Sequence, residues 1–193
     1  MTSGLRLEQV TRENVRAACG LELRPGQEGL VASVAFSLAD AYVSGEIAWP
    51  RLVYDGDALV GFMMAAFDPA NDDDLYHGYL WRLNISGASQ GRGYGRFAID
   101  SLRAEAIRRG LHRITVSWHP GDHGPEGFYR RLGFRRTGAL NQGEVVGELL
   151  LAPSADPGAN PHADPGADPG ANPHADPGAG PGANPHADPG PDR

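Results

Sequence analysis

The segment Gln90-Gly91-Arg92-Gly93-Tyr94-Gly95-Arg96 bears most directly on chemistry. Glycines let a backbone enter left-handed turns and come close to a ligand. The residues after the segment have helical periodicity, and the first turn of a helix presents unpaired N–H groups with partial positive charge. A glycine-rich turn that opens a helix is therefore suited to phosphate, and Arg92 and Arg96 would add charge-assisted contacts. Two other phosphate loops fit less well. A Walker loop needs lysine before Ser or Thr, and this chain has no lysine. Gly93-Tyr94-Gly95-Arg96-Phe97-Ala98 does match the dinucleotide pattern G-x-G-x-x-A. That fold wants an acidic residue about 20 positions on, where Trp118-His119 stand here, and the preceding stretch 86–91 is long for its tight turn.

A second segment points to an acyl-CoA loop. Gln90 to Gly95 fits Q/R-x-x-G-x-G/A at every fixed position, and downstream Gly127-Phe128-Tyr129-Arg130-Arg131-Leu132-Gly133-Phe134 contains F-Y-x-x-L-G-F. Together they resemble the GNAT superfamily of acyl-CoA-dependent N-acetyltransferases, across roughly residues 3–151. Ser37-Leu38-Ala39-Asp40-Ala41-Tyr42, Val53-Tyr54-Asp55-Gly56-Asp57, Val60-Gly61-Phe62-Met63 and Tyr79-Leu80-Trp81-Arg82-Leu83 are most similar to the diamine and polyamine N-acetyltransferase-like members.

The resemblance implies acetyl-CoA as co-substrate and a small-molecule primary amine, such as a polyamine or another small cation, as acceptor. It implies that the strand before the loop splays from its neighbour and bonds the cofactor through the backbone of Leu83, Asn84 and Ile85. It places the pyrophosphate on Gln90, Gly91, Arg92, Gly93, Tyr94, Gly95 and Arg96, and makes Tyr129 the acid that protonates the departing thiolate. An asparagine often present before the F-Y element is replaced here by Pro120-Gly121-Asp122-His123-Gly124.

Direct attack by an amine needs no covalent enzyme intermediate, and no credible nucleophile is present; Cys19 lies far from the motifs. The amine arrives protonated, with a pKa of about 10 if it resembles lysine, and must lose a proton. Glu46, Asp72, Asp73, Asp74 and Glu148 are the acidic residues in segments expected to border the site, though solvated surface charge is the ordinary reading of each. A water chain would serve equally. The competing functional reading is a catalytically weak acyl-CoA-binding or regulatory module on the same scaffold.

These residues need a scaffold, and the patterning supplies one. Leu5, Leu7 and Val10 read as a strand, and Thr11 as the N-cap of a short helix ending at Gly20. A longer helix is expected after Pro25, carrying Leu30, Val31, Val34, Leu38 and Ala41. Asp55-Gly56-Asp57 marks the turn of a hairpin whose returning strand is 58–67. In 79–85, Tyr79, Trp81, Leu83 and Ile85 alternate with Leu80, Arg82 and Asn84. A helix over 93–109, a strand over 112–118, a short helix framed by Pro125 and Gly133, and strands over 134–138 and 144–151 follow. The order β-α-α-β-β-β-α-β-α-β-β describes an α/β domain. The resemblance makes its sheet mixed and largely antiparallel, with flanking helices.

From Ala155 the chain becomes a tetrapeptide repeat, Ala-Asp/Asn-Pro-Gly/His, with no aromatic or β-branched residue. Such a segment has no apolar surface to offset the entropy of ordering it. The expectation is one acetyltransferase domain, 1–153, followed by a disordered tail, 154–193. A chain ending at Pro153 is then expected to match the full chain in melting temperature and in kcat; a drop of several degrees on truncation would contradict this. The tail aspartates carry most of the net charge of −7, so the domain is near neutral, unlike a general nucleic-acid binder. Neither an apolar leader nor a run of ~20 apolar residues occurs. A cytoplasmic protein that binds neither membrane nor nucleic acid is expected, with sheet edges that would allow a homodimer. His119 and His123 are separated by Pro120-Gly121 and cannot form a helical pair, so no metal site is expected.

Overall fold

The computed structural model describes residues 4–27, 29–121 and 124–151. The repeat segment, and with it the expected disorder of 154–193, lies outside the described residues, as do Asp122 and His123. The strands are β1 (Leu5–Glu8), β2 (Ala48–Asp55), β3 (Ala58–Ala66), β4 (Tyr79–Ile85), β5 (Arg113–Trp118), β6 (Arg135–Asn141) and β7 (Glu144–Leu150). The helices are α1 (Val15–Cys19), α2 (Val34–Ser44), α3 (Tyr94–Arg108) and α4 (Glu126–Arg131). The strands form one sheet in the order β1-β2-β3-β4-β5-β7-β6. Every neighbouring pair is antiparallel except β4–β5, which α3 connects as a parallel crossover.

Two apolar clusters cover the two faces. On one, α3 and α4 place Ala98, Ile99, Leu102, Ala106 and Tyr129 over Met63, Leu80, Ile114 and Val116. On the other, Ala18 and Val34 meet Leu52, Phe62, Met64 and Trp81. A sheet covered on both faces needs strands that are apolar on both sides, which is why β3 is buried almost throughout.

Two helix starts differ from expectation. α2 begins at Val34, because the Ser33 hydroxyl caps the Phe36 N–H at 3.2 Å. Leu30 and Val31 remain outside the helix, and Leu30 is exposed. α1 begins after Asn14, whose amide oxygen accepts from the Thr11 N–H at 2.7 Å; Thr11 sits in the preceding turn. Along α3 and its C-terminal end, Glu105 pairs with Arg109 and with Arg108, each at 2.7 Å. Arg108 foremost, with Arg109, holds the Glu105 carboxyl down at about 2.

Candidate active site

The site is built around a break in the sheet. β4 and β5 pair at two positions only, Tyr79↔Thr115 and Leu80↔Val116. Beyond Leu80 the edge of β4 that faces β5 has no strand partner among the described residues. An opening of this kind between two strands can admit an extended ligand. The register of β4 against β3 also slips here, since Met64 faces Arg82 while Ala65 faces Leu80. Trp81 is therefore the extra residue of a bulge. The bulge corrects the simple alternation. Tyr79 and Trp81 belong to the α1/α2 face, whereas Leu83 and Ile85 pack on the α3/α4 face. Asn84 is 2% exposed, and its amide donates to the Ala32 carbonyl at 3.1 Å. Its side chain thus ties β4 to the segment before α2 and is not open to a cofactor.

The glycine loop divides into two kinds of position. Gly91 and Gly93 adopt φ +84° and +91°, and a Cβ at either would meet nothing within 4 Å. They line open space, in a conformation that other residues rarely adopt. Gly93 is also the N-cap of α3, without any side-chain cap. The first helical bond is Phe97 N–H to Gly93 O, so the N–H groups of Tyr94, Gly95 and Arg96 precede the helical ladder. Arg92 and Arg96 are exposed beside them. A glycine turn that opens a helix in this way is suited to an anion.

Gly95 differs. A Cβ there would come within 3.0 and 3.1 Å of the Phe128 ring, so this glycine lets α4 approach α3. The side chains of Gln90 and Tyr94 also turn away from the cradle. Gln90 donates to the Gln27 amide oxygen at 2.7 Å and to the Ile85 carbonyl at 3.1 Å. Tyr94 is buried and donates to Asp55 at 2.7 Å. Sequence reading missed the brace beneath the loop. Arg24 donates to the carbonyls of Gly87 and Gln90, and Gly87 N–H bonds Glu22 O at 2.8 Å. The chain before α2 thereby holds the turn that enters the cradle.

Tyr129 projects from α4 into an aromatic cluster. Its ring stacks on Trp118 at 5.5 Å and meets Phe128 and Phe134 edge-on at 5.2 and 5.4 Å. It is 7% exposed, and its hydroxyl has no hydrogen-bond partner among the described residues. Burial pushes its pKa far above the ordinary phenol value, and nearby Tyr79 and Glu144 raise it further. The phenol is therefore in its protonated form at neutral pH.

The acidic residues singled out from the sequence have other engagements. Asp74 and Glu148 pair with Arg113 at 2.5 and 3.4 Å, and Asp73 caps Leu75 N–H at 2.9 Å. Glu46 and Asp72 are exposed. The carboxylate whose charge acts on Tyr129 is Glu144, which no local motif marks.

A sheet opened between two parallel strands, with an anion cradle at the helix that joins them, defines an acyl-CoA-binding transferase scaffold. Residues 27–134 match the description of the Acetyltransferase (GNAT) family. A spermine/spermidine N(1)-acetyltransferase of Bacillus subtilis (strain 168) is 30% identical over 148 residues, which span 74% of this chain and 95% of that protein. In fold, the chain is similar to spermidine N-acetyltransferase from Vibrio cholerae in complex with CoA and spermine, with a TM-score of 0.59, 16% identity, and 78% and 97% of the two chains covered. It is also similar to an aminoglycoside 6'-N-acetyltransferase complexed with coenzyme A, with a TM-score of 0.60, 17% identity, and 78% and 99% covered. The chain belongs to the GNAT acetyltransferase family. It is an acetyltransferase with acetyl-CoA as its co-substrate, and the open cradle and the splayed strands fit that molecule.

Proposed function

We propose that this protein transfers the acetyl group of acetyl-CoA to a primary amine of a small cationic acceptor, a polyamine foremost, by direct attack. In this reading Gly91, Gly93 and the first-turn N–H groups of α3 bind the pyrophosphate. Arg92 and Arg96 add positive charge, and β4 from Leu83 to Ile85, past its last pairing with β5, holds the pantetheine arm. The cofactor supplies an activated thioester; the chain positions it, excludes water and moves protons. Tyr129 gives its hydroxyl proton to the sulfur as the C–S bond breaks.

The observation that carries the reading is Tyr129 itself. A protonated, unpartnered phenol on the helix that follows the splayed strand has no structural need of its oxygen. Similarity to the Bacillus subtilis spermine/spermidine enzyme over most of both chains supports the choice of acceptor. So does the net charge of −7, which attracts polycations over long range.

The test is a panel of amines incubated with acetyl-CoA, with products read by mass spectrometry. Acetylation of spermidine or spermine is expected. Its kcat/KM should fall several-fold between low and high salt, because steering over more than a Debye length of ~10 Å at 0.1 M is screened. Turnover confined to uncharged or anionic amines would remove polyamines as the substrate. Absence of CoA release with every amine would favour the non-catalytic binding module.

A further inference from the structure

Four polar side chains meet beside the opened β4–β5 seam, and none has been assigned to acetyl-CoA or to protonation of the thiolate. The Tyr79 hydroxyl lies 2.6 Å from Ser117 Oγ. Ser117 donates to Glu144 Oε2, and His119 Nε2 lies 3.3 Å from Glu144 Oε1. Ser117 stands one position past Val116, the last residue of β5 paired with β4, so the network borders the gap. It runs outward from Tyr79, 5% exposed, through Glu144, with 28% of its side chain exposed, to His119, with 64%.

The hydrogen bonds have a fixed direction. A serine hydroxyl has one proton. With that proton given to Glu144, the Tyr79 hydroxyl must be the donor to Ser117. The chain of O–H groups therefore points from Tyr79 to the carboxylate, the direction in which it can pass a proton. A serine, a histidine and a carboxylate also invite comparison with a hydrolytic triad. There the imidazole stands between the other two and takes the serine proton. Here the carboxylate stands in the middle, so Ser117 is not activated as a nucleophile and no acyl-serine is implied.

The geometry points to Glu144 as the proton acceptor for the incoming ammonium group, reached through Tyr79 and Ser117 and opening to solvent beside His119. This rests on the reading of the protein as an amine acetyltransferase. The ammonium passes one proton to the Tyr79 oxygen; Tyr79 passes its own to Ser117, and Ser117 its own to Glu144. The freed lone pair forms the C–N bond as the C–S bond breaks, and the departing electron pair stays on sulfur. Sulfur takes the Tyr129 proton, and a second proton from nitrogen restores Tyr129. The proton on Glu144 leaves to water, so the net change is one ammonium and one thioester to one amide, one thiol and one proton. The groups that face Glu144 are Tyr79 of β4, with Arg82 acting on it, Ser117 of β5, His119 just past its end, Tyr129 of α4, and the uncharged Asn141 opposite it on β6.

Glu144→Gln keeps the shape and an acceptor for Ser117 but removes the basic oxygen. In the full chain, with an alkylamine that the wild type accepts, kcat at neutral pH is expected to fall on the order of 10²-fold. The deficit should narrow as pH rises toward the amine's own pKa. It should shrink to within a few-fold with hydroxylamine, which is already unprotonated at neutral pH. Acetyl-CoA affinity by calorimetry and the melting temperature should be unchanged. Ser117→Ala, which leaves Glu144 in place, should show the same pattern at smaller size. A wild-type kcat in Glu144→Gln, or a deficit equal at every pH and for both nucleophiles, would overturn the assignment. The acceptor itself is judged separately, by which amines the wild type uses; Glu144 is judged by the ratio of variant to wild type on any of them.

Discussion

Replacing Tyr129 by Phe should lower kcat on the order of 10²-fold or more, with acetyl-CoA affinity little changed. The substitution removes one oxygen and keeps the ring that stacks on Trp118 and meets Phe128 and Phe134. Packing is therefore preserved, and because the hydroxyl has no partner to abandon, stability should hold or rise slightly. A purely structural tyrosine would leave turnover near wild type. An acid that acts on the leaving sulfur is needed only in the transition state, so its loss appears in kcat. The sign of the pKa shift sharpens the test. Burial raises the phenol above its ordinary value, so the acid form persists to higher pH than that of an exposed tyrosine. The wild-type profile should then show no loss of activity at high pH from Tyr129. The defect of the Phe variant should be the same at every pH, unlike that of Glu144→Gln. It should also shrink with an acetyl donor whose leaving group needs no proton. Wild-type turnover by the Phe variant would move the role of acid to a water molecule.

Gly93→Val and Gly95→Val should fail in opposite ways. At Gly93 a side chain enters open space, so its cost to the folded protein is the left-handed backbone alone, about 1–2 kcal/mol. The same side chain occupies the cradle. Loss of about two charge-assisted hydrogen bonds, at ~1.5 kcal/mol each, corresponds to an affinity for acetyl-CoA reduced on the order of 10²-fold. At Gly95 the added atoms meet the Phe128 ring instead, so α4 or α3 must shift, at a cost of about 1–3 kcal/mol. Thermal melts and calorimetric titration on both variants separate the two effects. A folded Gly93→Val protein with wild-type affinity would show that the phosphates rest elsewhere.

Much of the scaffold was legible because local patterns have local causes. Asp55-Gly56 enforces its hairpin, with Gly56 at φ +56°. The stripe of Ala98, Leu102 and Ala106 selects one face of α3, and Pro125 and Gly133 bracket α4. The order of elements, the cradle glycines and the position of Tyr129 after them follow from such signals. The start of α2 did not, because the apolar residues Leu30 and Val31 continue the helical spacing while Ser33 supplies the stronger signal, a cap.

Other features required the chain to meet itself. The bulge at Trp81 marks where the register of β4 against β3 shifts by one residue, and it reassigns Leu83 and Ile85 to the opposite face from Tyr79 and Trp81. The division of labour between Gly93 and Gly95 depends on Phe128, which lies more than thirty positions away in the sequence. Glu144 and Ser117 are ordinary strand residues by composition. They become neighbours because β7 inserts between β5 and β6, a pairing chosen by burial of whole strands and by no motif. The sequence by itself therefore determined the class of chemistry and the glycine turn that opens α3, since these are set by backbone geometry within one segment. Tertiary structure decided how the seam opens and which carboxylate stands beside it, because both depend on strands distant in sequence sharing one sheet.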